Sequence, residues 1–190
     1  SGIDPAAMRD ATFDQSSKVI ELTPQQLERN TPIVVEEEDT ELSEALKAGV
    51  KAIREEDNGF RLKAFMEGSK VAFEMVLDGF SKNDQETLNM LLSKELFESF
   101  QREMKLRSGQ DEFAETTLIS ILEAEPQTIS VENKKASITV RFVSEQIQVN
   151  RTRKGETVKD STSAIEQVED AWVFTRDLRS PNPNWIVTET

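Results

Sequence analysis

The chain contains no cysteine, no histidine and no tyrosine. Without cysteine there is no disulfide framework and no thiolate zinc site. That composition is compatible with a reducing compartment. Without histidine, the commonest acid–base group and the commonest metal ligand are missing. Without tyrosine there is no phenol to support a developing oxyanion. No run of about 18 apolar residues occurs, so no segment of this sequence reads as a membrane-spanning helix. Neither a signal peptide nor a transit peptide pattern is visible. Basic residues are in deficit: 23 Lys and Arg stand against 36 Asp and Glu, a net charge of −13. A phosphate backbone would be repelled, so no nucleic-acid partner is expected. No phosphate loop, metal cluster or nucleophile motif is present, so no cofactor, metal or catalytic residue is expected either.

What is present is enough apolar material for a core, at 36% hydrophobic and 31% charged residues over 190 positions. The composition divides into an extended N-terminal arm over 1–40 and an α+β domain over 41–190. The arm is polar, with Pro5, Pro24 and Pro32, two short apolar runs (Val19-Ile20 and Ile33-Val34-Val35) and an acidic run over 36–39. Thr23-Pro24-Gln25-Gln26 reads as a capping box opening a short helix. The arm is a candidate for domain swapping or for a homodimer contact through residues 1–40. Ser1-Gly2 resembles a tag remnant, and the native N-terminus is expected upstream.

The domain is organised around the stretch FRLKAFMEGSKVAFEMVLDGF at 60–80. Leu62, Phe65, Met66, Ser69, Phe73, Val76, Leu77 and Phe80 recur at steps of three and four, one face of a helix about 20 residues long. Ala64, Gly68, Val71, Ala72 and Met75 form a second, smaller face. A helix apolar on most sides is expected to be enclosed. Before it, Thr40 is expected to cap a helix over 40–57, with a basic row of Lys47, Lys51 and Arg54. After it, Asn83 and Glu86 read as a capping box, and Ser93 as the cap of a helix ended by Gly109.

Then the period changes to two. Strand is expected at 118–122 and 129–131, interrupted near Pro126, with a turn at Asn133-Lys134-Lys135. Ile138, Val140 and Phe142 share one face, and Val143, Ile147 and Val149 the other, which predicts a bulge near Val143-Ser144. Lys154-Gly155 turns the chain again, Trp172 and Phe174 mark a third strand, and Trp185-Ile186-Val187 a last one. Helices followed by long bent antiparallel strands predict an α+β fold, a cone with an apolar interior.

Three groups of residues are candidates for function. Phe65, Met66, Phe73, Leu77, Phe80, Phe97, Phe100, Phe142, Trp172 and Phe174 read either as ordinary core or as the lining of an apolar pocket for lipid or peptide. Lys47, Lys51 and Arg54, with the turns carrying Lys134, Lys135, Arg151, Arg153 and Lys154, read either as solvated charges or as a surface for anionic lipid. Asp170 and Arg176 lie on a strand face beside Trp172 and Phe174, six residues apart, too far to pair with each other. Each is expected to meet a charge on a neighbouring strand, such as Arg141, and to be structural.

The segments FMEGSKVAFEMVLDGFSKND, LLSKELFESF, VRFVSEQI and DAWVFTRDLRSPNPNW resemble the Tim44-like domain family over roughly residues 60–190. The resemblance implies a fold similar to nuclear transport factor two, a bent sheet on helices around a large apolar pocket. It also implies a peripheral role at an inner membrane, affinity for cardiolipin-like anionic lipid, and a protein partner in translocation or envelope assembly. Bacterial relatives carry an N-terminal anchor, here expected before Ser1. Nothing in 1–40 resembles the chaperone-tethering region of the mitochondrial members, and an alphaproteobacterial source is implied. Together the readings favour a non-enzymatic binding or adaptor domain, with a small-ligand carrier or cone-fold enzyme as the alternative.

Overall fold

A computed structural model describes residues 41–158 and 164–190. The expectations for residues 1–40 lie outside the described residues. Four helices lead into a four-stranded sheet: α1 (Glu44–Glu56), α2 (Leu62–Ser81), α3 (Gln85–Leu91), α4 (Lys94–Ser108), β1 (Glu112–Glu132), β2 (Lys135–Thr152), β3 (Ile165–Asp177) and β4 (Ile186–Glu189). The strands pair antiparallel in the order β1-β2-β3-β4. This is the expected α+β architecture, helices on a curled antiparallel sheet.

Three of the four helices, all but α2, start at a residue whose side-chain oxygen accepts from a first-turn backbone N–H. Ser43, not Thr40, caps α1, accepting from Leu46 N at 3.3 Å. Asp84, not Asn83, caps α3 and accepts from Thr87 N at 3.1 Å. Asn83 instead takes a positive φ of 55° and turns the chain out of α2. Ser93 caps α4 and Gly109 ends it, both as expected.

The two strands expected at 118–122 and 129–131 are one, β1, running unbroken through Pro126. As the outermost strand of the sheet, β1 tolerates a proline that a central strand would not. Its pairing with β2 slips at three places, leaving Ile119, Leu122 and Gln127 unmatched. The bulge expected at Val143-Ser144 therefore exists, but on the opposite strand: Ile121 and Glu123 face Ser144 and Val143 with Leu122 squeezed out. Asn133 and Lys134, both at positive φ, close the β1–β2 hairpin in two residues.

Phe142, Val143 and Ser144 are all buried, although consecutive strand residues face opposite sides. Phe142 faces the helices. Val143 faces outward between its cross-strand neighbours Glu123 and Glu169. Both of these reach Arg141, at 2.9 and 2.7 Å, and this ionic bridge roofs Val143.

The core lies between α2 and the inner face of β2 and β3. Phe73 stacks on Phe142 at 4.4 Å and meets Trp172 at 4.7 Å, and all three are buried. α1 packs on the hairpin end of β1, where Gly49 meets Ile129: a β-carbon on Gly49 would lie 2.5 Å from Ile129 Cβ. The short β4 is joined by Leu92, and Ser93 N donates to Val187 O at 2.8 Å, so the α3–α4 junction closes the sheet's last edge.

Candidate functional site: an open groove beside the central helix

The second face of α2 is not enclosed. Val71 is 54% exposed, and Met90 of α3, opposite it, is 63% exposed. Between them runs an open groove of about 590 Å³. Ala64, Gly68, Ala72 and Met75 line the α2 side. Met90 and Leu91 of α3 line it as well, and the turn carrying Pro183, Asn184 and Trp185 completes it. Phe65 and Phe174 also line it.

The aromatic rings here brace one another. Phe65 meets Trp185 edge-on at 4.9 Å and Phe174 at 5.6 Å, and Phe60 meets Trp185 at 6.0 Å. Such contacts fix ring positions before anything binds. Arg61 is the one charged residue in the lining. Its guanidinium donates to the carbonyls of Asn58 and Phe60 at 3.1 and 3.0 Å, which holds a positive charge at one end of an apolar trough.

Gly68 marks the groove. A β-carbon there would have nothing within 4 Å. Glycine in mid-helix costs about 1 kcal/mol relative to alanine, and no contact inside the domain requires it. Gly49 and Gly79 differ, since each sits against another element, Ile129 and Leu88 respectively.

Of the ten residues expected to line a pocket, Phe65 and Phe174 line this groove. Phe73, Phe142 and Trp172 fill the cone's interior with rings. Phe80 and Phe100 pack at 5.5 Å under α4, with the Arg107 guanidinium 4.6 Å from the Phe80 ring. Burial pushes the Arg107 pKa down. Met66, Leu77 and Phe97 are half-buried against the core. The small face of α2 is legible in the sequence, where a helix apolar on most sides is expected to be covered; its exposure is not. Met90, Leu91 and Pro183 carry no such signal, because their proximity depends on how α3 and the β3–β4 turn pack.

The basic candidates do not form one patch. Lys134 and Lys135 sit at one end of β2, and Arg151, Arg153 and Lys154 at the other. An 18-residue strand separates the two groups. Several are paired within the chain: Lys47 with Glu44, Lys134 with Glu56, Arg151 with Glu115, and Arg153 with Asp111. Arg54 donates to Phe60 O at 3.1 Å. Lys51 and Lys154 are exposed and make no ion pair among the described residues.

Arg141 is not the partner of Asp170 or Arg176. It takes Glu169 and Glu123, and the carboxylates' hydrogen bonds raise its pKa. Arg176 reaches Asp57 at the end of α1, at 2.8 Å. Asp170 has no ion pair or hydrogen bond among the described residues, and burial raises its pKa. It stands on the inner face opposite Phe142. No cluster of three or more acidic side chains able to hold a metal occurs among the described residues.

The profile of the Tim44-like domain family matches residues 46–190. No curated protein sequence matches the chain. Among solved structures, the crystal structure of the intermembrane space region of chloroplast protein ARC6 matches with a TM-score of 0.43 and 10% sequence identity. That match covers 65% of this chain and 92% of the other. With the family profile spanning α1 through β4, the chain belongs to the Tim44-like domain family.

Proposed function

We propose that this is a non-enzymatic, membrane-peripheral binding domain that holds an apolar segment of lipid or peptide in the groove beside α2. The observation that carries the reading is the uncovered second face of α2. Val71 and Met90 stand bare on either side of an aromatic-lined trough, and a contiguous apolar concavity of this kind is what a binding surface presents. Family membership supports a place at an inner membrane, in protein translocation or envelope assembly. No described helix is long and apolar enough to cross a membrane. Attachment would then rest on surface contacts or on sequence beyond this domain. Among the expected surface cations, Lys51, Lys135 and Lys154 are exposed without an ion pair among the described residues. Lys135 and Lys154 lie at opposite ends of β2, so each end offers its own contact to cardiolipin-like headgroups, each cation contributing about 1 kcal/mol near an anionic surface.

Gly68→Trp tests the groove, because the new ring enters space that is empty in the folded domain. The variant should melt like the parent. It should also lose crosslinking from a photoreactive group at Val71 to lipid or peptide in native membranes. Unchanged crosslinking with the groove filled would remove this reading. Flotation on cardiolipin vesicles checks the surface separately. Binding should weaken with salt and on reversing the charges of Lys51, Lys135 and Lys154; binding indifferent to both contradicts an electrostatic contact.

A further inference from the structure

A second opening lies on the other flank of α2. β1 pairs with β2 alone among the described residues, so its other edge has no strand partner. The hydrogen-bond pattern tells which groups face that edge. Arg153 N donates to Asp111 O, one step beyond the end of β1 and in the same register. Antiparallel pairs alternate between bonded and non-bonded, so Phe113, Glu115 and Thr117 bond to β2. The N–H and C=O groups of Ala114, Thr116 and Leu118 therefore point away from it. Ser81 Oγ agrees, donating to Thr116 O from α2 at 2.6 Å.

Along this edge runs a cleft of about 640 Å³, with residues 115–120 on one side and the C-terminal half of α2 on the other. Met75 and Leu118 give it apolar surface, and Ile119, the first unmatched residue of β1, is 47% exposed there. Three carboxylates, Glu74, Asp78 and Glu115, line it against one ammonium, Lys82. Lys82 is engaged by Asp78 at 2.9 Å, and Glu74 has no ion pair among the described residues. Glu115 is engaged by Arg151 of β2, so the charge the lining leaves unpaired among the described residues is the Glu74 carboxylate, of the same sign as the chain's net −13.

Exposed strand edges are normally blunted by lysine, proline, bulges or a covering helix. Here α2 touches the edge at Thr116 O through Ser81 and stands across the cleft from residues 115–120. Residues 112–118 have no lysine and no proline, and the bulges begin only at Ile119. We propose that this stretch is a strand-addition site, distinct from the groove, for an extended peptide of alternating apolar and basic residues. One set of its side chains would meet Met75 and Leu118, the other the carboxylates, while its backbone continues the sheet.

The probe is a fluorescent octapeptide of alternating lysine and valine, offered to the full chain, with hydrogen exchange as the second readout. Binding should appear below about 1 mM, weaken between about 50 and 500 mM salt, and slow exchange at Ala114 and Leu118. Ala114→Pro removes an outward N–H that no β2 group uses, and should weaken binding about tenfold or more. Glu74→Lys, on the exposed face of α2, should weaken it without touching the sheet, so the proposal does not depend on the proline variant folding. Equal binding by the glutamate–valine peptide, equal binding by a backbone N-methylated lysine–valine peptide, protection around Gly68 in place of Ala114, or no binding at about 1 mM would each overturn the proposal.

Discussion

Asp57 and Arg176 stand 119 residues apart in the chain and meet at 2.8 Å. The first closes α1 and the second lies near the end of β3, so this pair fastens the first helix to the far side of the sheet. Arg176 is 11% exposed and its Nε is buried without a partner. Removing the acid strands a buried cation, whereas removing the cation leaves a carboxylate still within reach of water. Asp57→Asn should therefore cost more, about 2–3 kcal/mol, than Arg176→Met, at about 1–2 kcal/mol, in urea unfolding.

Two glycines in neighbouring helices should respond to alanine with opposite signs. At Gly49 the new methyl group would meet Ile129 Cβ and O at 2.5 Å, so α1 must move off the hairpin. A loss of about 2 kcal/mol or more is expected. At Gly68 the methyl group enters open space and the helix gains propensity, for a gain of about 0.5–1 kcal/mol. Thermal melts of both variants decide it.

Phe73→Ala should be among the most damaging single changes, at about 3–5 kcal/mol, because it opens a void between Phe142 and Trp172 that neither rigid ring can fill. Chemical denaturation with an unchanged m value would show that the loss is packing and not a change in the unfolded chain.

Two acids should shift stability in opposite directions with pH. Burial raises the Asp170 pKa, so the folded chain binds that proton more tightly than the unfolded chain. Its contribution favours folding below the ordinary carboxylate range and is lost as pH rises through the raised value. Asp170→Asn should therefore stabilise at pH 7, and the gain should vanish in acid. The side-chain hydrogen bond from Arg179, aided by its backbone N–H, lowers Asp177 from 3.8 to about 2. That contribution is present above the ordinary value and fades as pH falls toward about 2. Carboxyl NMR titration should place the two midpoints on either side of the ordinary one, and Arg179→Ala should return Asp177 toward it.

The helices were legible because each carries its signal locally. The stripe from Leu62 to Phe80 repeats without interruption, and Ser93 and Gly109 sit at the ends of α4. The misplaced caps are three positions off at Thr40 against Ser43 and one at Asn83 against Asp84, among runs where several residues have the right oxygen. β1 was harder. Inward residues are Thr116 and Leu118, then Ile121, then Ala124 and Pro126, then Ile129 and Val131, so the two-residue period resets three times. A strand whose rhythm changes reads as several fragments. The open side of α2 is not legible in the sequence for a different reason. Periodicity tells that Phe73 and Ala64 both face something, but not whether that something is a sheet or water.

The three unmatched residues of β1 give the strand a reading frame. Ile119, Leu122 and Gln127 are spacers, and what each side chain is matters less than that a residue is there. Substitutions at these positions should pass almost unnoticed. Loss of any one would swap the inner and outer faces of the strand on one side of the cut, turning Glu115 and Thr117 toward the aromatic interior or Ile129 and Val131 toward water. Across homologous chains, length should therefore be conserved in this segment where identity is not.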